Sequence, residues 1–306
     1  MSEREQDAAA AIFDRRMLRR RRERAAPGFH AVDFLVREVA LRLAERLNDV
    51  RRRFPLALDL GCHGGQLAAA LGAEAPIERL VQADLAPGMV RRASGLRVVA
   101  DEELLPFGAA RFDLVLSCFS LHWVNDLPGA LAQIAHALRP DGLFLAALPG
   151  GTTLLELREA LLRAELELEG GGALRVTPFV EVRDAGGLLQ RAGLALPIAD
   201  VETIRVTYDH PLKLLSELRR MGEANALSRG HRRPLRRGTL LRACEIYREL
   251  FADAAGRVPA TFQILMLSGW KPAPDQPQPL RRGSGQVNLA RALGVPVEVL
   301  QGKAKP

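Results

Sequence analysis

The stretch FPLALDLGCHGGQLAAALG, residues 54–72, constrains the fold more than any other part of the chain. A short apolar run ends at Asp59, and glycines follow at positions 61, 64 and 65 before an alanine-rich helical pattern begins. This order predicts a strand, a tight turn and the N-terminus of a helix. In such a turn, backbone N–H groups approach a nucleotide-like ligand with no side chain in between.

The spacing of these glycines separates two classes of nucleotide site. A dinucleotide turn has the pattern G-x-G-x-x-G, whereas this chain has His63 and Gln66 at the second and third glycine positions. The acid-x-Gly-x-Gly-x-Gly turn of class I S-adenosylmethionine-dependent methyltransferases is matched at Asp59, Gly61 and Gly65 and departs at His63. The turn therefore favours S-adenosylmethionine, with a glycine turn that binds no ligand as the alternative. We expect the His63 side chain to point to solvent.

Acidic residues follow the next two predicted strands. Asp84 ends the apolar run RLVQADLA, and Asp101 and Glu102 follow a third strand. Asp84 can accept both ribose hydroxyls in charge-assisted hydrogen bonds, an acid at 101 or 102 can accept from the adenine amino group, and Asp59 can orient the turn or meet the ligand's ammonium group. The predicted cofactor contacts are Asp59, Gly61, Cys62, His63, Gly65, Asp84, Leu85, Asp101, Glu102 and Ser117.

Strands and helices alternate along the first half of the chain, which predicts a parallel, doubly wound sheet. Two later strands enclose a helical, basic segment and predict an antiparallel edge. The predicted fold class is α/β: a class I methyltransferase (Rossmann-like) fold with a seven-stranded, mostly parallel sheet, one antiparallel strand and a helical insertion between the last two strands. The predicted strands are 55–60, 79–83, 96–99, 112–118, 143–148, 201–208 and 261–270.

Local patterns also predict helices and domain limits. The amphipathic stretch 29–53 predicts one helix, and Thr153 and Glu156 stand at capping-box spacing, which predicts a helix start. Further helices are expected near 65–72, 87–93 and 127–138. The expected domains are a basic N-terminal extension at 1–28, a methyltransferase-like domain at 29–271 with a helical insertion at about 210–256, and a disordered, proline- and glycine-rich tail at 272–306.

The net charge of +7 is concentrated in one segment. Residues 15–24 (RRMLRRRRER) contain seven arginines and one glutamate, so this segment carries six of the seven net positive charges. A second basic stretch lies at 229–242. Two such segments on a nearly neutral body favour an acidic protein partner, and a solvated helix face is the equal alternative. With only 5% aromatic residues, a specific nucleic-acid function is not indicated.

Cysteine and histidine positions predict no metal site. The three cysteines have neither metal-site nor disulfide-framework spacing, and the six histidines are scattered. No apolar run approaches the roughly 20 residues of a membrane span, and the N-terminus lacks the apolar core of a signal peptide. We therefore expect a cytoplasmic protein, for which peripheral contact with a membrane stays open.

The segment after the fourth strand supplies the candidate substrate-facing side chains, because open α/β sheets bind ligands at the carboxyl ends of their strands. His122 is the candidate catalytic residue, since a histidine can act as a general base near neutral pH. The alternative is that His122 and Trp123 wall the cofactor pocket, because methyl transfer mainly requires positioning and exclusion of water. The candidates are Ser117, Ser120, His122, Trp123 and Asp126.

Motifs inside and outside the predicted cofactor half carry a family resemblance. HWVNDLP, AELELEGG and MGEAN are its specific elements, and FDRRMLRRRRERAA, ADEELLPF, GGTTLLELREAL, VPATFQI, GWK and RRGSGQV extend it from about residue 12 to 290. In these motifs the chain resembles the methyltransferase-like family of the mitochondrial complex I assembly factor 5 and its alphaproteobacterial counterparts. The biotin-pathway malonyl-carrier-protein O-methyltransferases are more distant relatives.

The resemblance implies an S-adenosylmethionine-binding enzyme that modifies an arginine on the iron–sulfur, quinone-site subunit of respiratory complex I. The mitochondrial member is associated with hydroxylation, yet a non-haem iron centre would require two histidines and a carboxylate, and no such spacing is evident. Methylation of a carrier-bound acyl group or small metabolite is an alternative, for which an acyl carrier protein would be the acidic partner. A non-catalytic assembly chaperone is a second alternative.

Overall fold

The computed structural model describes residues 11–228, 234–276 and 284. Within these residues, seven strands form one sheet in the order β3-β2-β1-β4-β5-β7-β6. Strands β1 to β5 are parallel, and β7 runs antiparallel to its neighbours β5 and β6. The strands are β1 (Ala57–Leu60), β2 (Leu80–Asp84), β3 (Leu96–Val99), β4 (Phe112–Cys118), β5 (Leu138–Pro149), β6 (Ala195–Tyr208) and β7 (Val258–Trp270). The predicted fold class is confirmed.

Helices cover both faces of the sheet. Alternate residues of β5 belong to two separate core clusters: Leu145 packs with the helices Phe34–Asn48 and Leu155–Glu169, and Phe144 packs with the helices Leu127–Ala137 and Val182–Arg191. The strand is therefore apolar on both faces, as a central strand of an α/β sheet must be. The helices are α1 (Arg15–Ala25), α2 (Phe34–Asn48), α3 (Gln66–Leu71), α4 (Pro87–Val90), α5 (Leu127–Ala137), α6 (Leu155–Glu169), α7 (Val182–Arg191), α8 (Pro211–Met221) and α9 (Arg237–Phe251).

The predicted helix at 29–53 is shorter at both ends. Residues Ala26–Ala31 form a 3-10 turn, and α2 begins only at Phe34. Pro27 and Gly28 explain the irregular start, because proline is tolerated only in a first helical turn and glycine is a weak helix former. The 3-10 turn therefore separates α1 from α2, and the two helices are distinct elements.

The predicted helix start is confirmed, since α6 begins at Leu155, but the capping box on which the prediction was based does not form. Leu154, with a left-handed φ of 55°, precedes the helix, and the Thr153 hydroxyl donates to the backbone oxygen of Gln263 on β7. The Glu156 carboxylate accepts from the backbone N–H and the hydroxyl of Thr261. Contacts with β7 have replaced the local cap, so this helix end is fixed by tertiary structure.

Helices α8 and α9 lie between β6 and β7, in the region of the expected insertion. The expected disorder of 272–306 falls, apart from residues 272–276 and 284, outside the described residues, as does part of the basic stretch 229–242. Among the described residues, no helix is both long enough and apolar enough to cross a membrane.

Candidate functional site

The glycine turn is built by close contact between β1, β2 and the segment after β4. Gly61 has φ 81°, and its N–H donates to the Ala83 oxygen of β2 (2.8 Å). A Cβ at this position would lie 2.0 Å from the Cβ of Ser120. The backbone can follow this path only because Gly61 has no side chain.

His63 lies inside the molecule, so the expectation that it points to solvent is wrong. Its side chain is buried and stacks on Phe29, with ring centroids 5.5 Å apart. Nε2 lies 3.1 Å from the backbone oxygens of Cys118 and Phe119, which accept its hydrogen. Burial and the charge of Arg22 lower the pKa of His63, so the ring is neutral near pH 7. His63 thus ties the turn to the end of β4.

The acids predicted at the ends of β2 and β3 converge. Asp84 is fully buried, and its two oxygens accept from the backbone N–H groups of His63 (3.1 Å) and Ala86 (2.8 Å). Glu102 is also fully buried and accepts from the Ser120 hydroxyl, whereas Asp101 is partly exposed. We call Asp84, Asp101 and Glu102 the carboxylate cluster.

Two arginines of α1 bind this cluster, which the sequence interpretation missed. Arg22 is fully buried, with Nη1 3.2 Å from Glu102 and 3.5 Å from Asp84. Arg15 pairs with Asp101 and Glu102. A signal was present: positions 15, 18, 22 and 25 lie on one face of a helix, and Leu18 and Ala25 are buried there with Arg22.

The buried charges shift one another's ionisation. Burial alone would raise the pKa of Glu102, but Arg15, Arg22 and the Ser120 hydroxyl lower it to about 2. Burial raises the pKa of Asp84 although Arg22 opposes the shift. Burial alone would lower the pKa of Arg22, but the charges of Asp84 and Glu102 outweigh the effect of burial and raise this pKa. The cluster therefore holds a permanently charged guanidinium.

Several buried polar atoms beside the turn have no partner. Both carboxylate oxygens of Asp59 lack a hydrogen bond, and so do Nε and Nη2 of Arg22. Burial and the charge of Asp84 raise the pKa of Asp59 to about 8. Unsatisfied buried groups are rare in native structures. The site thus combines an unpartnered carboxyl, unpartnered guanidinium donors and a pair of carboxylates. These groups suit a nucleoside that carries an amino-acid end, and the predicted cofactor fits this donor set.

The remaining predicted contacts have structural partners. The Ser117 hydroxyl donates to the Leu60 oxygen (2.8 Å), and the Cys62 sulfur lies 3.5 Å from the His63 oxygen. Leu85 packs in a small apolar cluster with Leu18 of α1. Asp126, expected to face a substrate, is exposed and caps α5 by accepting from the Gly129 N–H (2.9 Å). The turn directs the Asp126 carboxylate onto its own helix.

A cavity of about 660 Å³ adjoins the 3-10 turn Leu121–Trp123. His122 and Trp123 line it, and both donate to one oxygen of Glu223, His122 Nε2 at 3.0 Å and Trp123 Nε1 at 2.6 Å. Burial would raise the pKa of Glu223, but His122 and Arg22 lower it to about 2. The other walls are mainly apolar, and they include Leu35, Phe119, Leu157, Phe179 and Phe262.

The fold and the site define a class of protein: a class I methyltransferase-fold enzyme that uses S-adenosylmethionine. A methyltransferase domain family matches residues 58–146, from β1 into β5. The crystal structure of the YcgJ protein of Bacillus subtilis has the same fold, with a TM-score of 0.53 at 17% identity over 76% of this chain and 98% of that one.

The particular family follows from the full-length relatives. The chain is 44% identical over 286 residues to “Arginine-hydroxylase NDUFAF5, mitochondrial” of Danio rerio, which covers 91% of this chain and 88% of the relative. It is 34% identical over 279 residues to “Malonyl-[acyl-carrier protein] O-methyltransferase” of Methylovorus sp. (strain MP688), with 87% and 92% covered. The chain belongs to the family of the arginine-hydroxylase NDUFAF5.

Proposed function

We propose that this protein modifies an arginine side chain on the iron–sulfur, quinone-site subunit of respiratory complex I during assembly. One observation carries the proposal: the 44% identity extends over 286 residues, whereas the methyltransferase domain family accounts only for residues 58–146. The shared sequence therefore includes the elements that wall the cavity, where a substrate side chain would lie, as well as the cofactor half.

We further propose how the site holds its cofactor. Asp59 meets the ammonium group of S-adenosylmethionine, and the unpartnered Nε and Nη2 of Arg22 meet its carboxylate. Asp84 accepts from the ribose hydroxyls, and Asp101 or Glu102 accepts from the adenine amino group. Bound S-adenosylmethionine supplies an electrophilic methyl group on a sulfonium centre. Because Arg22 Nη1 already contacts Asp84 and Glu102, cofactor binding has to loosen these two contacts.

The protein's own residues then position the substrate. Apolar walls such as Phe119 and Phe179 exclude water from the cavity. His122 is the candidate catalytic residue, but its Nε2 is engaged by Glu223 and its Nδ1 is buried. Positioning of the substrate in the cavity is the main contribution that this geometry supports.

The test is mass spectrometry of the quinone-site arginines in the iron–sulfur subunit, purified from strains with and without this gene. We expect one arginine to gain mass only when the gene is present, and re-introduction of the gene restores the modification. A gain of one methyl group identifies methyl transfer, and a gain of one oxygen identifies hydroxylation, which requires an oxidant in addition to S-adenosylmethionine. An identical, unmodified arginine in both strains would overturn the proposal.

Partner and location are part of the proposal. The exposed arginines of α1 are Arg16, Arg19, Arg20 and Arg24. They are available to an acidic surface of the partner subunit, whereas Arg15 and Arg22 make contacts inside the molecule. We place the protein in the cytoplasm with peripheral contact to the membrane in which complex I assembles. Salt should weaken this association, since exposed charges are screened within about 8–10 Å at physiological ionic strength.

A second candidate is O-methylation of a carrier-bound acyl group. The 34% identity to the malonyl-carrier methyltransferase and the presence of Arg21, Arg175 and Arg219 around the cavity favour an anionic substrate of this kind. Rescue of a biotin-requiring strain that lacks its own carrier methyltransferase would support this candidate. Failure to rescue, with the protein expressed and folded, would count against it.

A further inference from the structure

Helix α1 covers the carboxylate cluster. Asp84 and Glu102 expose no surface, and the guanidinium of Arg22 contacts both of them. Arg15, on the same helix, pairs with Asp101 and Glu102. The acceptors proposed for the ribose and adenine groups are therefore occupied by the protein's own arginines. S-adenosylmethionine cannot reach Asp84 or Glu102 while α1 stays in this position.

One side of α1 is anchored to α4, the helix that follows β2. Glu23 accepts from the Gly88 N–H (2.6 Å) and pairs with Arg91 (2.7 Å). Glu23 is also the one acidic residue of α1, so no other side chain of this helix can make the same contacts. Glu23 therefore holds α1 beside the end of β2, where Asp84 lies.

The other side of α1 is joined to the loop that follows α8. The residues just before α1 share two backbone hydrogen bonds of 2.8 Å with this loop, from the Asp14 N–H to the Ala226 oxygen and from the Ser228 N–H to the Ile12 oxygen. We call residues 12–25 and 223–228 together the strap. Because its two halves are hydrogen-bonded to each other, they form one unit across the site.

The strap also forms part of the wall of the large cavity. Arg21, Glu223, Ala224 and Asn225 all line the cavity, and Arg21 donates to the backbone oxygen of Ala224 (2.6 Å). The same helix thus contacts the carboxylate cluster through Arg22 and the cavity wall through Arg21. A movement of α1 is therefore transmitted to this wall.

Polar contacts hold the strap more than apolar burial does. Apart from Arg22, α1 buries only Leu18 and Ala25, and Leu18 belongs to a small cluster separate from the two large cores. Buried ion pairs add little net stability, because desolvation nearly cancels their attraction. Seven of the eleven residues of α1 are arginines, and like charges four positions apart disfavour a helix. These are the properties of a segment that opens at low free-energy cost.

We propose that the strap is an autoinhibitory gate: it closes the carboxylate cluster of the cofactor-free protein with Arg15 and Arg22, and it opens the cluster and the cavity wall in one movement to admit S-adenosylmethionine. The strap then closes again, because the cofactor's carboxylate satisfies Nε and Nη2 of Arg22, which have no partner among the described residues. The inference rests on the proposed placement of the cofactor and not on the identity of the protein substrate.

The first experiment is amide hydrogen exchange of the full chain, read by NMR without cofactor. The amides of Asp14 and Ser228 should exchange at similar rates, and faster than the amide of Leu116 in β4. Glu23→Ala removes a charged hydrogen-bond acceptor, so both strap amides should exchange at least about fivefold faster, while Leu116 is unchanged. Acceleration at Asp14 without acceleration at Ser228 would overturn the common movement.

The second experiment measures S-adenosylmethionine binding by stopped-flow fluorescence of Trp123, which packs against Phe13 of the strap. The cofactor passes the gate in both directions, and Glu23 anchors the strap with and without cofactor. Glu23→Ala should therefore raise the association and dissociation rates together, each at least about fivefold, and leave the dissociation constant within about twofold.

The matched control is Glu45→Ala on α2, which removes the same side chain from an exposed position outside the strap. It should change neither rate. Unchanged rates in Glu23→Ala would overturn the gate. A weaker dissociation constant with an unchanged association rate would overturn it as well, because that result describes a contact made only to the bound cofactor.

A third variant separates the gate from the proposals around it. If Asp84→Ala binds S-adenosylmethionine as tightly as the unaltered protein, the cofactor does not use the covered carboxylates, and the gate is overturned together with the cofactor placement. If Asp84→Ala binds weakly but Glu23→Ala changes neither rate, the placement stands and the gate alone is overturned. Neither measurement uses the iron–sulfur subunit, so faster binding and release by Glu23→Ala supports the gate even if no arginine is modified in cells.

Discussion

Asp59 combines full burial with two unpartnered oxygens at the end of β1. Burial, reinforced by the charge of Asp84, raises its pKa to about 8, so the free protein carries a proton there at pH 7. A cation placed against this carboxyl would favour the ionised form and displace the proton. Loss of the Asp59 proton on cofactor binding would therefore show that the ammonium end of the cofactor lies against this carboxyl.

We predict that S-adenosylmethionine binding at pH 7 releases close to one proton from Asp59. Because binding releases a proton, affinity should rise with pH below about 8 and level off above that value, where the free protein is already ionised. Calorimetry in phosphate and in Tris gives the number of protons from the difference in enthalpy. Asp59→Asn should remove the release, and an unchanged release in that variant would show that another group supplies the proton.

At the residue scale, sequence patterns identify which side chains are polar and close to a strand end, but not what they contact. Asp84 and Glu102 were placed at the ends of two predicted strands, and they lie together because parallel strands end at one edge of the sheet. The orientation of His63 was predicted wrongly because Phe29, its stacking partner, lies on a segment 34 positions earlier in the chain. Glu223 was not predicted, since its contacts with His122 and Trp123 span about 100 residues.

At the scale of elements, α1 is joined to the sheet by ion pairs as well as by apolar packing. Leu18 and Ala25 pack on one face of the helix together with Arg22, whose guanidinium reaches the carboxylate cluster. The basic segment was predicted to serve an acidic partner or, equally, to form a solvated helix face, but charge counts cannot show that Arg15 and Arg22 are used internally. Leu18 and Ala25 mark the packed face of the helix, but they do not show that the arginines on that face pair with acids inside the molecule.

We predict that Arg22→Met destabilises the cofactor-free protein by about 3–5 kcal/mol, because removal of one partner leaves buried charge on Asp84 and Glu102 uncompensated. Urea unfolding followed by circular dichroism measures the change. Arg20→Met is the matched control on the same helix. Arg20 is exposed, so its replacement should change stability by no more than about 0.5 kcal/mol. Equal effects of the two substitutions would show that the Arg22 contacts contribute little.

At the scale of the whole molecule, the order of apolar strands and helices was sufficient to predict the sheet. Alternation along the first half gives the parallel strands, and the two late strands around a helical segment give the antiparallel pair β6 and β7. The cavity could not be predicted in the same way, because its walls come from α2, α6, α8 and β7 together. Its position beside the 3-10 turn Leu121–Trp123 depends on how these distant elements pack.

This arrangement raises the question of whether the molecule acts as an enzyme or as a chaperone that keeps an enzyme fold. The two roles use different surfaces, because cofactor chemistry requires the buried carboxylate cluster, while docking can use the exposed arginines of α1. A substitution inside the cluster can therefore separate them without altering the outer surface.

We predict that Asp84→Ala abolishes S-adenosylmethionine binding and, with it, both the arginine modification and complex I assembly in a strain that lacks the natural gene. Asp84 lies at the centre of the cluster, where it accepts from the turn and from Arg22. Thermal unfolding must first establish that the variant is folded, and Asp126→Ala, which removes only the cap of α5, controls for a modest loss of stability. Normal assembly by a folded Asp84→Ala protein that binds no cofactor would show that docking, and not catalysis, is the essential role.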